Sequence, residues 1–233
     1  MITIRNANER GKADFGWLKS QHSFSFGDYY DPQHMGFGAL RVINQDRVSP
    51  GAGFDTHGHR DMEILSYVIE GELEHKDSTG TGSVIRPGDI QRMSAGSGIR
   101  HSEFNHSKQA PVHFLQIWIV PAEQGIKPGY EQKQFGAQDL RNKFTLIAGP
   151  KGGANAVKVH QDARLYVGVL DSGQSHTAKI ASGRGLWVQV VKGSITVDDK
   201  ILKAGDAAAV EQESSIKITA RDDAEVLLFD LAL

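Results

Sequence analysis

The chain has no cysteine in 233 residues. That excludes disulfides, thiolate metal sites and cysteine nucleophiles, so any transition-metal site must be built from His, Asp and Glu. Long apolar runs are also missing. A run such as "FLQIWIV" (Phe114–Val120) has the length of a buried strand, far short of the ~20 residues of a membrane-spanning helix. Neither charge sign dominates: 26 Lys and Arg stand against 28 Asp and Glu, for a formal net charge of −2. No basic surface of the kind nucleic acid requires is implied, and neither nucleic acid nor membrane is an expected partner. The opening "MITIRNANER" lacks an apolar signal region, so the expected location is the cytoplasm. No stretch keeps a 3.6-residue apolar period, which argues against long helices.

What remains reads as β-structure. Glycine is frequent (26) and proline sparse (7), with turn signals about every 8–12 residues. "SYVIEGELEHKDSTGTGSVIRPGDIQRMSAG" reads as four strands joined by turns at Gly71, "DSTGTG" and "RPGD". The plan recurs in "WVQVVKGSITVDDKILKAGDAAAV", where Gly193 answers Gly71 and Gly205-Asp206 answer Gly88-Asp89. The expected architecture is therefore all-β, with two tandem jelly-roll barrels. Residues 1–120 read as the first barrel, 121–140 as a polar, strand-poor linker and 141–233 as the second.

The chemistry concentrates in the first half. In "GFDTHGHRDMEILSYVIEG" His57 and His59 stand two apart. On a strand they share one face, about 7 Å apart along the chain. In "PGDIQRMSAGSGIRHSEFN" His101 and Glu103 repeat that spacing. With ten His in the chain, neither spacing is specific alone. The frame sharpens it: Gly51 before the first pair, Gly71 closing the next strand, then a turn, a strand and a Gly-rich bend before the second. Three imidazoles and a carboxylate directed into one barrel would suit a divalent first-row metal.

This frame resembles the two cupin motifs, and the chain is more closely similar to the pirin family of bicupins. The likeness rests on "HSFSFGDYYDP", "GFGALRVIN", "THGHRDMEILSYVIEG", "EHKDS", "IRPGDIQRMSAGSGIRHSEFN" and "LQIWIVP", dense over residues 16–121 and weaker beyond. The resemblance implies two cupin-type barrels and one divalent metal per chain, with His57, His59, His101 and Glu103 as ligands. Fe(II) is the first choice of metal, with Ni, Cu, Mn and Zn as alternatives. Glu63 sits where the general cupin pattern has its carboxylate. Gly71 comes one residue late and Ser94 replaces a Pro, so Glu63 is read as orienting a ligand imidazole. The second half offers "QSHTAKIASGRG" where a His pair would fall, and no chemical site is expected there.

Other residues carry plainer readings. His22, His34, His75, His106, His113, His160 and His176 lack the frame and are read as surface or core hydrogen-bonding groups. Phe24, Phe26, Tyr29, Tyr30 and Phe37 are read first as core, with a flat-substrate pocket as the alternative. Met35, Met62 and Met93 are read as packing residues. "SAGSGI" lacks the Lys-Ser/Thr and helix of a phosphate loop; its glycines let the backbone bend beside the site. The leading function is a metal-dependent dioxygenase acting on a flavonol such as quercetin with O2 and releasing carbon monoxide. In that reading Glu103 is also the catalytic base. Two alternatives stay open: a metal-binding regulator or redox sensor acting through a protein partner, and isomerase or hydrolase chemistry on another small molecule.

Overall fold

A computed structural model describes residues 1–233. The first barrel is a seven-stranded sheet in the order Gly129–Gln134, Asp89–Ser94, Glu63–Glu70, Val112–Ile119, Leu40–Val48, Leu18–His22 and Gly11–Asp14. It packs on a four-stranded sheet of Gly53–His59, Ile99–Asn105, Leu73–Asp77 and Gly82–Ile85. The second barrel repeats the plan. Its seven strands are Ile2–Arg5, Ala207–Val210, Arg184–Lys192, Ala224–Ala232, Ala163–Leu170, Phe144–Gly149 and Val157–Lys158. Its four are Ser175–Lys179, Ser215–Ala220, Ser194–Val197 and Lys200–Lys203. Helix is confined to Ala7–Glu9 and Ala137–Leu140, and no helix is long and apolar enough to cross a membrane.

The two large sheets pack back to back. Leu65, Tyr67, Ile69, Leu115, Ile117 and Ile119 of the first meet Leu165, Val167, Trp187, Leu227, Phe229 and Leu231 of the second in one buried cluster. Each fully buried Leu, Ile or Phe contributes about 1.5–3 kcal/mol. Because both faces of these central strands are covered, they read as near-continuous apolar runs.

The internal repeat is a repeat of turn physics. Gly71 and Gly193 adopt φ of 81° and 72°, conformations costly to residues with a Cβ. A Cβ on Gly71 would lie 2.7 Å from the Pro111 carbonyl oxygen, and one on Gly193 would strike that of Asp223. After the next hairpin, Asp89 accepts from the Arg86 N–H at 3.0 Å and Asp206 from the Lys203 N–H at 2.8 Å. Each carboxylate closes its turn in the same way.

Two strands depart from the sequence reading. The linker segment carries Gly129–Gln134, which pairs with Asp89–Ser94. Its sequence, "GYEQKQ", is polar on both faces because the strand is an edge, and its side chains hydrogen-bond instead of packing. At the other end, Ile2–Arg5 leaves the first half and pairs with Ala207–Val210 of the second barrel.

Candidate metal centre

Strands Gly53–His59 and Ile99–Asn105 pair antiparallel, with His57 opposite His101 and His59 opposite Ile99. A register shift between His101 and Glu103 inserts an extra residue opposite them. Such a bulge bends the strand and re-aims its side chains. On Ile99–Asn105, burial alternates so that His101 and Glu103 face inward. The structure brings the three predicted imidazoles together: the ring centroids lie 4.7, 4.5 and 4.9 Å apart, and their ligand atoms lie within 4.8 Å of one another.

The proton positions follow from the hydrogen bonds. His57 Nδ1 lies 2.7 Å from the Asp55 carbonyl oxygen and donates to it, leaving Nε2 with a bare lone pair. Burial, then the neighbouring imidazoles, push His101 down to about 2, and burial with His57 pushes His59 down to about 4. Both rings are neutral donors at neutral pH. His57 Nε2 and His101 Nε2 face each other at 3.1 Å. Two nitrogens each bound at about 2.0–2.1 Å to one ion, at a right angle, would stand about 3 Å apart. The donor set therefore fits a divalent first-row metal.

Glu103 is buried against the large sheet, where Ser66 Oγ donates at 3.2 Å and Gln116 Nε2 at 3.0 Å. Burial raises its pKa to about 7 against these two bonds. Its ligand oxygen groups with donor atoms of His101 and of a histidine the sequence reading left outside the site, His75. His75 is fully buried, with Nδ1 3.4 Å from His101 Nδ1 and Nε2 3.0 Å from Asp77 Oδ2. The signal was present: His75 and Asp77 stand two apart on the strand after Gly71.

Glu63 is not beside the metal centre, which corrects the expectation that it orients a ligand. On strand Glu63–Glu70 the inward residue is Ser66, which touches Glu103. Glu63 stands on the opposite face with Leu65, Tyr67 and Ile69, where its Oε2 accepts from His160 N–H at 3.1 Å. Strand alternation decides this: an odd spacing from Ser66 means the other face.

A cavity of about 700 Å³ opens over the site, lined by His57, His59, Glu103, Phe26, Tyr29, Phe54 and Trp118 among others. Of the aromatic residues weighed for a pocket, Phe26 and Tyr29 line it. Phe24 and Phe37 instead pack on Trp187 between the barrels, with centroids 4.8 and 5.9 Å apart, and Tyr30 is exposed. Three polar side chains of the large sheet, His22, Asn44 and Gln116, line the cavity. His22, Asn44, Gln116, Ser66, Gln91 and Gln132 are successive cross-strand neighbours, forming one row across the large sheet. Beside that row lies buried Asp46, hydrogen-bonded by Ser20 and raised by burial to about 7.

Comparison with known proteins places this geometry in a family. The family model described as Pirin matches residues 3–119, and one described as the quercetinase C-terminal cupin domain matches residues 146–231. A protein named quercetin 2,3-dioxygenase from Escherichia coli K12 is 49% identical over 231 residues, 99% of each chain. A pirin-like protein from Caulobacter vibrioides is 41% identical over 233 residues, the whole of both chains. The crystal structure of the bacterial pirin YhhW from Escherichia coli in complex with nickel(II) is similar with a TM-score of 0.95 and 48% identity, covering 100% of this chain and 99% of that one. With matching models in both halves and relatives alike end to end, the chain belongs to the pirin family.

Proposed function

We propose that the chain is a metal-dependent dioxygenase that opens the heterocycle of a flavonol such as quercetin with O2, releasing carbon monoxide. His57, His59, His101 and Glu103 hold one divalent first-row ion in this reading. Fe(II) remains the first expectation; Ni(II), the ion named with the Escherichia coli pirin, suits the same donors, as do Cu(II), Mn(II) and Zn(II). The observation that carries the reading is that His57, His59 and Glu103 share one cavity with six aromatic side chains. When bound, the ion would lower the pKa of a chelating hydroxyl and supply the site for oxygen chemistry.

The protein's own groups supply binding and proton transfer. Phe26, Tyr29, Phe54 and Trp118 offer faces and edges against which flat rings pack. A volume of about 700 Å³ falls within the usual range for small-molecule pockets, about 300–1,000 Å³. Glu103, fixed by Ser66 and Gln116, accepts the proton of the substrate's 3-hydroxyl. Three imidazoles and one carboxylate would hold the ion and would leave it able to take the substrate's 3-hydroxyl and 4-carbonyl oxygens.

The test is oxygen uptake by metal-loaded protein given quercetin, with loss of the flavonol absorption band and detection of carbon monoxide. A flavone lacking the 3-hydroxyl should not react. Bleaching that persists equally in a His57→Ala/His59→Ala protein would assign the chemistry to free metal. Quercetin left intact by every metal form would overturn the reading, and tight binding of a protein partner would then favour the regulator.

A further inference from the structure

The three clustered imidazoles are not equivalent. His57 gives its Nδ1 proton to a neutral backbone carbonyl, that of Asp55. His101 meets another histidine, and that histidine meets a carboxylate. We propose that Asp77 and His75 form a positioning pair that fixes the His101 tautomer and makes it the most electron-rich donor of the cluster. The proposal rests on the metal reading above.

One proton assignment satisfies the contacts of His75 and leaves the facing Nε2 atoms of His57 and His101 bare for an ion. Asp77 Oδ1 accepts from Thr79 N at 2.8 Å, Thr79 Oγ1 at 2.6 Å and Thr81 N at 3.3 Å, so the carboxylate is anchored by its own turn. Its Oδ2 lies 3.0 Å from His75 Nε2, and both side chains are fully buried. A carboxylate only accepts, so His75 carries its proton on Nε2 and leaves Nδ1 bare. That bare nitrogen, 3.4 Å from His101 Nδ1, takes the His101 proton. His101 Nε2 is left with a lone pair aimed at His57 Nε2. A carboxylate at the end of such a chain raises the basicity of the ligand imidazole. The Tyr130 ring, contributed by the edge strand Gly129–Gln134, packs on His75 with centroids 4.9 Å apart and holds the ring in place.

The second barrel is an internal control. Asp77 stands opposite His101 and His75 opposite Glu103. Counted from the equivalent glycines Gly71 and Gly193, His75 corresponds to Val197, which stands opposite Ile218 as His75 stands opposite Glu103. Where the carboxylate ligand position is apolar, the position of the supporting imidazole is apolar too, and Asp199, counted to the place of Asp77, is exposed on the turn.

The experiment uses Zn(II) as the probe. In uniformly ¹⁵N-labelled, Zn(II)-loaded protein, long-range proton–nitrogen correlation reads each histidine tautomer. The expected result is His75 protonated on Nε2 and His101 on Nδ1; His75 protonated on Nδ1 overturns the proposal without recourse to a variant. Asp77→Asn should weaken Zn(II) binding, measured against a competing chelator, about 10- to 100-fold. His75→Gln, which keeps an acceptor for the His101 N–H but removes the link to the anion, should recover part of that loss. Glu63→Gln, a buried change on the opposite face, should leave affinity unchanged and controls for general destabilisation. Parent-like affinity in both Asp77→Asn and His75→Gln would also overturn the proposal. His57→Ala should lose Zn(II); if it does not, the metal reading itself fails and the pair is not at fault.

Discussion

The two barrels share a strand order and differ in what fills them. In the first, His57 faces His101, His101 faces Asp77 and Glu103 faces His75. In the second, the corresponding pairs are apolar: Ala178 faces Ile216 and Ile218 faces Val197. The large sheets diverge in the same way. The row Asn44, Gln116, Ser66, Gln91, Gln132 becomes Tyr166, Leu228, Val188, Ala208, Ile4. The second interior is a cluster of 17 buried apolar residues. The first is a cavity whose floor includes two carboxyls that burial holds near neutrality, Glu103 and Asp46. A jelly roll supplies inward positions, and the residues on a handful of them decide between core and site.

The largest effect should come from converting one barrel toward the other. Replacing His101 and Glu103 by the second barrel's residues Ile216 and Ile218, His101→Ile with Glu103→Ile, should abolish metal retention. The metal-free protein should keep its stability or gain some, because the double change removes a costly buried carboxyl; denaturant melts of both metal-free proteins read this. Glu103→Ala alone, reloaded with excess metal, should lose about 10²–10⁴ in turnover. In the opposite direction, a large-to-small change in the shared core, Leu227→Ala, should cost about 2–5 kcal/mol in a denaturant melt and leave one metal per chain.

Asp46 sharpens the comparison through pH. Its folded pKa is raised to about 7 from an ordinary 3.8, so between those values the native state holds a proton that the unfolded chain has released. Stability should therefore fall as pH rises through that window and level off above it. Asp46→Asn should flatten the slope by up to about 1.4 kcal/mol per pH unit, read from denaturant midpoints of metal-free protein between pH 4.5 and 7. The smallest effect belongs to Glu63→Gln. It weakens the contact with His160 between the barrels and should cost about 1–3 kcal/mol, with metal affinity unchanged.

Much of this was legible in the sequence, and the failures have physical causes. Strand alternation and the Gly71/Gly193 repeat carry the fold. The two i,i+2 pairs, His57/His59 and His101/Glu103, lie on neighbouring strands of one sheet. Glu63 was misread because a motif position does not say which face of the next strand looks inward. The edge strand Gly129–Gln134 was missed because an edge needs no apolar periodicity. Ile2–Arg5 reads as a strand, but nothing local says that its partner lies some 200 residues away, at Ala207–Val210. His75 was set aside because its importance comes from the register that places it opposite Glu103.

The central claim is that one barrel holds a metal and its twin does not. Elemental analysis of protein purified from its own host tests it most directly. The account predicts one tightly held divalent ion per chain, lost in the His57→Ala/His59→Ala protein. Two ions per chain, or one that survives that double replacement, would contradict it.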